Sequence, residues 1–270
     1  MVKTFYIIHN PYYYLGRYIT VKGLYLHSVG VGQPDPWVFI RQFNNPSYER
    51  ACVHGFVGAN ETVITMPCMV TQGKAMRAPH AGRTYSNDRY LGFEMTEPKG
   101  IKYTGRGAEF VITDKAGATA YAWATIRRAV DLFAQLCVFH NLDPLADGVI
   151  LGHYEGSARG IASAHADPEH LWRGLGMNYN MDQFREDVAA AVSKLGTGEE
   201  ENDMTEQEVI DIVKKQKTVY ETIEEVPEWA RPTVRKLMGK GILQGDGSGL
   251  GLTYDLTRVL VINDRAGLYE

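Results

Sequence analysis

The chain has 270 residues, 44% hydrophobic and 22% charged, with a formal net charge of −4. That length can bury one good-sized core and still carry a small second domain. The weak, mixed charge argues against a nucleic-acid binder that relies on a basic face, and no apolar run resembles a membrane span. Cys52, Cys68 and Cys137 sit in apolar surroundings with no CxxC spacing, so they read as buried free thiols of a protein made in a reducing compartment. The run from Met1 to His9 is too short and too soon polar for a secretory signal, so a cytoplasmic origin is expected.

Residues 1–26 carry two apolar stretches around the turn Asn10-Pro11-Tyr12-Tyr13-Tyr14. The second stretch, residues 18–26, is strand-like and ends at His27. Residues 41–50 read as helix or loop. Residues 51–58 and 62–66 look like a strand pair joined at Ala59-Asn60-Glu61. Residues 90–96 form another strand pattern, with Glu94 an acid inside a run that otherwise reads as buried. A carboxylate there needs a partner, a metal-bound water or a substrate.

Residues 119–139 hold the longest helical pattern, with Ile126, Val130, Phe133 and Cys137 on one face. Gly148-Val149-Ile150-Leu151 then reads as a buried strand delivering His153 at its end. A Gly-rich polar segment, residues 155–160, is expected as a loop that closes on His165 and Asp167. A helix-like stretch follows from Pro168 to Trp172, and a last amphipathic helix spans about residues 182–195.

Residues 196–204 form an acidic linker without an apolar core. Beyond it, residues 205–217 are helix-like, with Thr205 and Glu208 in capping-box spacing, and residues 226–265 suggest two short helices around a Gly-rich turn. The expected organisation is an α/β domain over residues 1–195, a central mixed β-sheet flanked by helices, followed by a small all-α module over residues 205–270.

The residues that carry chemistry are His27, His153 and Asp167 as candidate zinc ligands. Zinc in hydrolases takes three N, O or S ligands and leaves a fourth position for water, whose pKa it lowers toward neutrality. Glu94 is the candidate for orienting or deprotonating that water, and His165 for stabilising the oxyanion. The set is scattered and forms no compact motif such as HExxH, and a lone strand-end histidine is more often structural than a ligand.

Taken in order, Tyr25-Leu26-His27, Leu91-Gly92-Phe93-Glu94, Gly152-His153 and His165-Ala166-Asp167-Pro168 resemble the type-2 N-acetylmuramoyl-L-alanine amidases. These are zinc amidases of the peptidoglycan-recognition-protein and phage-lysozyme fold. The resemblance covers about residues 15–195. It implies His27, His153 and Asp167 as metal ligands, with Glu94 and His165 as catalytic residues. It also matches His80, in Pro79-His80-Ala81-Gly82, to a loop that lines the substrate groove, and turns His54 toward the same region as a groove or ligand-backing residue. The sequence departs from the family in a longer stretch between His153 and Asp167, in histidine rather than lysine at 165, and in an insertion at residues 99–109 beside the groove. The second departure leaves open His165 as third ligand with Asp167 orienting it.

Residues 226–258 resemble a single S-layer-homology repeat, carried by Val226-Pro227, Trp229-Ala230, Gly241-Ile242-Leu243 and Thr257-Arg258. That likeness implies binding to a secondary cell-wall polymer, with homodimerisation or packing as the alternative. Together the resemblances imply a zinc (Zn2+) enzyme acting on bacterial peptidoglycan. The expected setting is a phage or prophage endolysin, held in the cytoplasm until a holin opens the membrane. A non-catalytic peptidoglycan-binding protein on the same fold is the competing expectation.

Overall fold

The computed structural model describes residues 2–105, 107–197, 219–245 and 247–269. The chain divides into two compact units, residues 1–199 and 200–270. The first unit begins with β1 (Val2–Thr4), α1 (Pro11–Tyr14), β2 (Tyr18–Thr20), β3 (Gly23–Ser28) and α2 (Pro36–Phe43). It continues through β4 (Gly55–Val57), β5 (Thr62–Ile64), β6 (Lys74–Met76), α3 (Thr84–Asn87) and β7 (Tyr90–Met95). The hairpin β8 (Ile101–Tyr103) and β9 (Phe110–Ile112) precedes α4 (Lys115–His140), β10 (Ile150–Gly152), α5 (His153–Ala158), α6 (Glu169–Gly174) and α7 (Met181–Thr197).

Six strands form the central sheet in the order β1-β5-β4-β7-β3-β10. Only β4 and β5 run antiparallel; every other neighbouring pair is parallel, which makes the sheet mixed. β3 is buried at all of its positions. A strand covered on both faces requires such a nearly continuous apolar run, which explains why Leu24-Tyr25-Leu26 shows no alternation.

Helix α4 starts on Asp114, whose side chain accepts from the Gly117 N–H, and ends at Asn141 in the left-handed conformation. Ala118, Ala122, Ile126, Ala129, Phe133 and Cys137 recur on its buried face. Phe133 packs edge-on against Phe93 of the sheet and Phe184 of α7, with centroids 5.8 and 5.2 Å apart. That apolar layer anchors β7 at Phe93, whose next residue, Glu94, belongs to the site.

Three local expectations are corrected. The strand-like run over residues 18–26 breaks at Val21 and Lys22, because β2 leaves the main sheet and pairs antiparallel with β6. The region after Asp35 is helical earlier than expected, because Asp35 caps Trp37 and Pro36 occupies the first turn. Residues 153–158 form α5 rather than a loop. Glu155 accepts from the Gly152 N–H at 2.8 Å and pairs with Arg185 at 3.0 Å, which fixes the start of that helix.

The second unit contains β11 (Val219–Tyr220), α8 (Arg231–Gly239), β12 (Leu252–Thr253) and α9 (Tyr254–Arg265). Both expected helices are present, accompanied by a short antiparallel β11–β12 pairing that the sequence pattern did not announce. Tyr220, Val226, Ala230, Val234, Leu252 and Val261 form a small core of their own. The helix expected over residues 205–217 lies outside the described residues.

Candidate metal centre

β3 ends in His27, whose register partner on β7 is Glu94. β10 runs parallel on the other side of β3, with Gly152 opposite Leu26, so His153 emerges at the same sheet edge as the first residue of α5. Parallel strands deliver their C-terminal ends together, and the crevice outside those ends is where α/β sheets assemble sites. Asp167 is tied to this edge by its carbonyl, which accepts from the Tyr154 N–H at 3.3 Å.

The ligand-capable atoms of His27, His153 and Asp167 lie within 4.8 Å of one another, and all three residues are buried. His27 Nδ1 is 3.2 Å from Asp167 Oδ2, and His153 Nδ1 is 3.6 Å from Asp167 Oδ1. The Nε2 atoms are engaged elsewhere: His27 with His80 Nδ1 at 2.8 Å, His153 with Ser163 Oγ at 3.1 Å. Two buried imidazoles thus turn the same ring nitrogen toward one carboxylate, and only cations, protons or a metal ion, can answer that arrangement. The donor set of two imidazole nitrogens and one carboxylate oxygen fits zinc. Burial alone would raise the Asp167 pKa, but hydrogen bonds to His153 and His27 hold it far below the usual carboxylate range. Burial, first, depresses His27, which keeps its ring in the neutral form that a metal requires.

A cavity of about 710 Å³ opens over this group, and Glu94, Tyr103, His153, His165 and Asp167 are on its wall. Glu94 Oε2 is buried and has no hydrogen-bond partner among the described residues. Burial first, then the charges of Asp167 and Glu97, push its pKa well above the ordinary value. His165 is the exposed member of the site, with its side chain 58% accessible and its Nδ1 3.7 Å from Asp167 Oδ1. Its ring lies against His153 with centroids 4.3 Å apart, and burial, first, lowers its pKa. The converging ligand atoms are therefore those of His27, His153 and Asp167, with His165 beside them.

The other two histidines separate. His80 reaches the cavity wall while hydrogen-bonding His27. His54 is fully buried within the sheet: its Nδ1 accepts from the Gly92 N–H at 3.0 Å and its Nε2 donates to the Met76 carbonyl at 2.8 Å. Both of its polar atoms are consumed by backbone, so it offers nothing to a groove.

A polar cluster behind the cavity was not foreseen. Glu97, fully buried, accepts from the Gly30 N–H at 3.0 Å and from the Tyr103 hydroxyl at 2.8 Å. Tyr103 also meets His170 Nε2 at 2.6 Å. Glu97 thereby joins the loop after β3, the β8–β9 hairpin and α6. The only sequence signal was a second acid three residues beyond Glu94 at the end of the same apolar strand. Tyr25 was also passed over; its ring stacks beneath His27 at 5.5 Å and its hydroxyl meets Ser86 Oγ at 3.0 Å.

Residues 17–170 match the family described as N-acetylmuramoyl-L-alanine amidase. No curated protein matches the sequence. Among solved structures, the Staphylococcus aureus hydrolase AmiA in complex with its ligand is similar at 18% identity and a TM-score of 0.54, covering 73% of this chain and 85% of that one. The catalytic domain of XlyA is similar at 19% identity and a TM-score of 0.45, covering 70% and 99% of the two chains. A mutant endolysin from Bacillus subtilis gives 18% identity and 0.45, covering 70% and 98%.

Proposed function

The chain belongs to the N-acetylmuramoyl-L-alanine amidase family, and from that premise we propose that it is a zinc-dependent peptidoglycan hydrolase. The bond cleaved is the amide between the lactyl group of N-acetylmuramic acid and L-alanine of the stem peptide. The observation that carries this reading is the convergence of His27, His153 and Asp167 beneath a cavity whose wall holds an unpartnered Glu94 carboxylate. A complete ligand set favours catalysis over peptidoglycan binding alone.

His27 Nδ1, His153 Nδ1 and an Asp167 oxygen would hold the zinc. Bound there, zinc supplies Lewis acidity that polarises the scissile carbonyl and makes water nucleophilic near neutral pH. Glu94 accepts the proton released as the water oxygen bonds to the carbonyl carbon, a role its raised proton affinity suits. The same carboxyl then returns that proton to the alanine nitrogen as the C–N bond breaks, leaving a lactyl carboxylic acid and a free amine. His165, half-exposed on the cavity wall, donates an N–H to the oxygen that gains charge. The β8–β9 hairpin places Tyr103 on the same wall, which gives the inserted segment a part in shaping substrate choice.

The second unit is proposed to bind a secondary cell-wall polymer. Trp229 and Tyr254, both exposed, meet edge-on at 6.0 Å, and the Arg258 guanidinium lies 5.9 Å over the Tyr254 ring. Aromatic faces beside a cation suit a sugar polymer that carries acidic groups. Full-length Trp229→Ala should sediment less with purified walls at unchanged turnover of soluble muropeptides; unchanged sedimentation would favour dimerisation through this unit, read by its mass in solution. The proposed setting is an endolysin released to the wall through a holin-opened membrane, testable by whether expression lyses cells only when a holin is co-expressed.

The deciding experiment on the activity pairs metal content with release of L-alanine amino termini from purified peptidoglycan, for the wild type and His153→Ala. About one zinc per chain, lost together with activity in the variant, is the expected result. Zinc and activity both retained in the variant would refute the site.

A further inference from the structure

We propose that His80 is a positioning residue that determines which ring nitrogen of His27 is offered to the metal, and that Gly92 is required for it to do so. This rests on the zinc reading above, but it begins from contacts that exist without any ion. The Tyr90 carbonyl can only accept, so His80 Nε2, 3.1 Å away, carries the proton. A neutral imidazole protonated at Nε2 presents Nδ1 as an acceptor. His27 Nε2 lies 2.8 Å from that Nδ1 and must donate to it. A proton of His27 is thereby held at Nε2, so that Nδ1, 3.2 Å from Asp167 Oδ2 in the candidate ligand set, is the nitrogen from which a metal ion would displace any proton shared with that carboxylate.

Metal-binding histidines generally donate their second N–H to a carboxylate, a carbonyl or water, and the first two, which can only accept, leave the tautomer in no doubt. Here the partner is another imidazole, which has two tautomers of its own. Were His80 protonated at Nδ1, it would face His27 Nε2 with a proton and drive the His27 proton to Nδ1, where the metal has to bind. The Tyr90 carbonyl removes that ambiguity one residue further back.

The rest of the surroundings hold the His80 ring in the required place. The backbone N–H groups of His80 and Ala81 both donate to Asn87 Oδ1, at 3.0 and 2.8 Å, which pins the loop to α3. The ring lies directly over Gly92 of β7: a Cβ built there would fall 2.3 Å from His80 Cγ and 2.5 Å from Nδ1. Any larger residue at 92 pushes the ring off His27. Beneath His27, Tyr25 stacks nearly parallel, at 9° between the planes, and holds the plane of the ring.

The test uses the full chain with His80→Leu, which fills the space without an acceptor, His80→Asn, which keeps an acceptor oxygen near the Nδ1 position, and Gly92→Ala. Zinc affinity is measured by competition with a chromogenic chelator, and melting of the metal-free proteins reports folding. His80→Leu and Gly92→Ala should each lose about 10- to 100-fold in zinc affinity, while His80→Asn recovers most of it. Wild-type affinity in a folded His80→Leu protein would overturn the proposal. A second readout needs no metal: nitrogen-15 spectra of the metal-free wild type near pH 8 should report a proton on His27 Nε2 donated to His80 Nδ1, and that hydrogen bond should vanish in His80→Leu. A His27 Nε2 found without a proton in the wild type would overturn it equally. A wild type that binds no zinc while showing the Nε2 tautomer would refute the zinc reading and leave the His80–His27 relation standing.

Discussion

Replacing Glu97 with glutamine should make the stability of the protein less sensitive to pH, in a direction and by an amount that follow from where Glu97 sits. Its carboxyl is fully buried and accepts only from the Gly30 N–H and the Tyr103 hydroxyl among the hydrogen bonds described. Burial, the largest cause, pushes its pKa from an ordinary 4.5 up to about 7, against the lowering effect of its polar neighbours Ser28, Tyr103 and Gly30. A group whose folded pKa lies above its unfolded one binds more protons in the folded state between the two values. Stability therefore falls as pH rises from about 4.5 to about 7 and stays lower above it. At 1.36 kcal/mol per pKa unit, the full difference is about 3 kcal/mol. Glutamine carries no charge, so Glu97→Gln lacks this dependence. It gives up an acceptor for Tyr103, at a cost of about 1 kcal/mol that does not vary with pH. Urea unfolding of both proteins from pH 5 to 8, with chelator present to remove metal-linked protons, should show the difference moving in favour of the variant by up to about 3 kcal/mol. Stability curves that stay parallel across that range would refute the buried-charge argument.

Other perturbations separate metal binding, chemistry and packing. Glu94→Gln should keep its zinc, because no ligand atom is touched, and lose about 10²–10⁴ in kcat against muropeptides; wild-type turnover would remove Glu94 from proton transfer. Stripping metal with a chelator should lower the thermal midpoint of the first unit, with a loss of about 2.7 kcal/mol if zinc had been present at a hundredfold its Kd, and calorimetry with and without added zinc checks this. Phe133→Ala should cost about 3–5 kcal/mol, since its ring is fully buried between β7 and α7; a denaturation midpoint unchanged from wild type would contradict that packing.

Much of the site is legible before folding is considered. His27 and His153 each follow an apolar run, and Glu94 is an acid within one, so strand propensity alone places all three at or near strand ends. The long period of α4 and the paired runs at β4 and β5 are equally local, and they stand in the structure where their patterns put them. Local sequence determines these features because a backbone segment chooses its conformation mainly from its own side chains and their burial.

What the sequence could not determine depends on groups that meet only after the chain closes. Residues 155–160 have a loop-like composition, yet α5 forms because Glu155 caps its start and Arg185, thirty positions away, holds that carboxylate. His54 and His80 are the same residue type beside the same sheet; one has both nitrogens taken by backbone, the other has one left for His27. Glu97 becomes a buried anchor only where the loop after β3, the hairpin and α6 come together. Residue type decides what a side chain is able to donate, accept or bind, whereas the partner it finds, and hence its charge state and role, is decided by the parallel β-sheet edge that brings distant strand ends together.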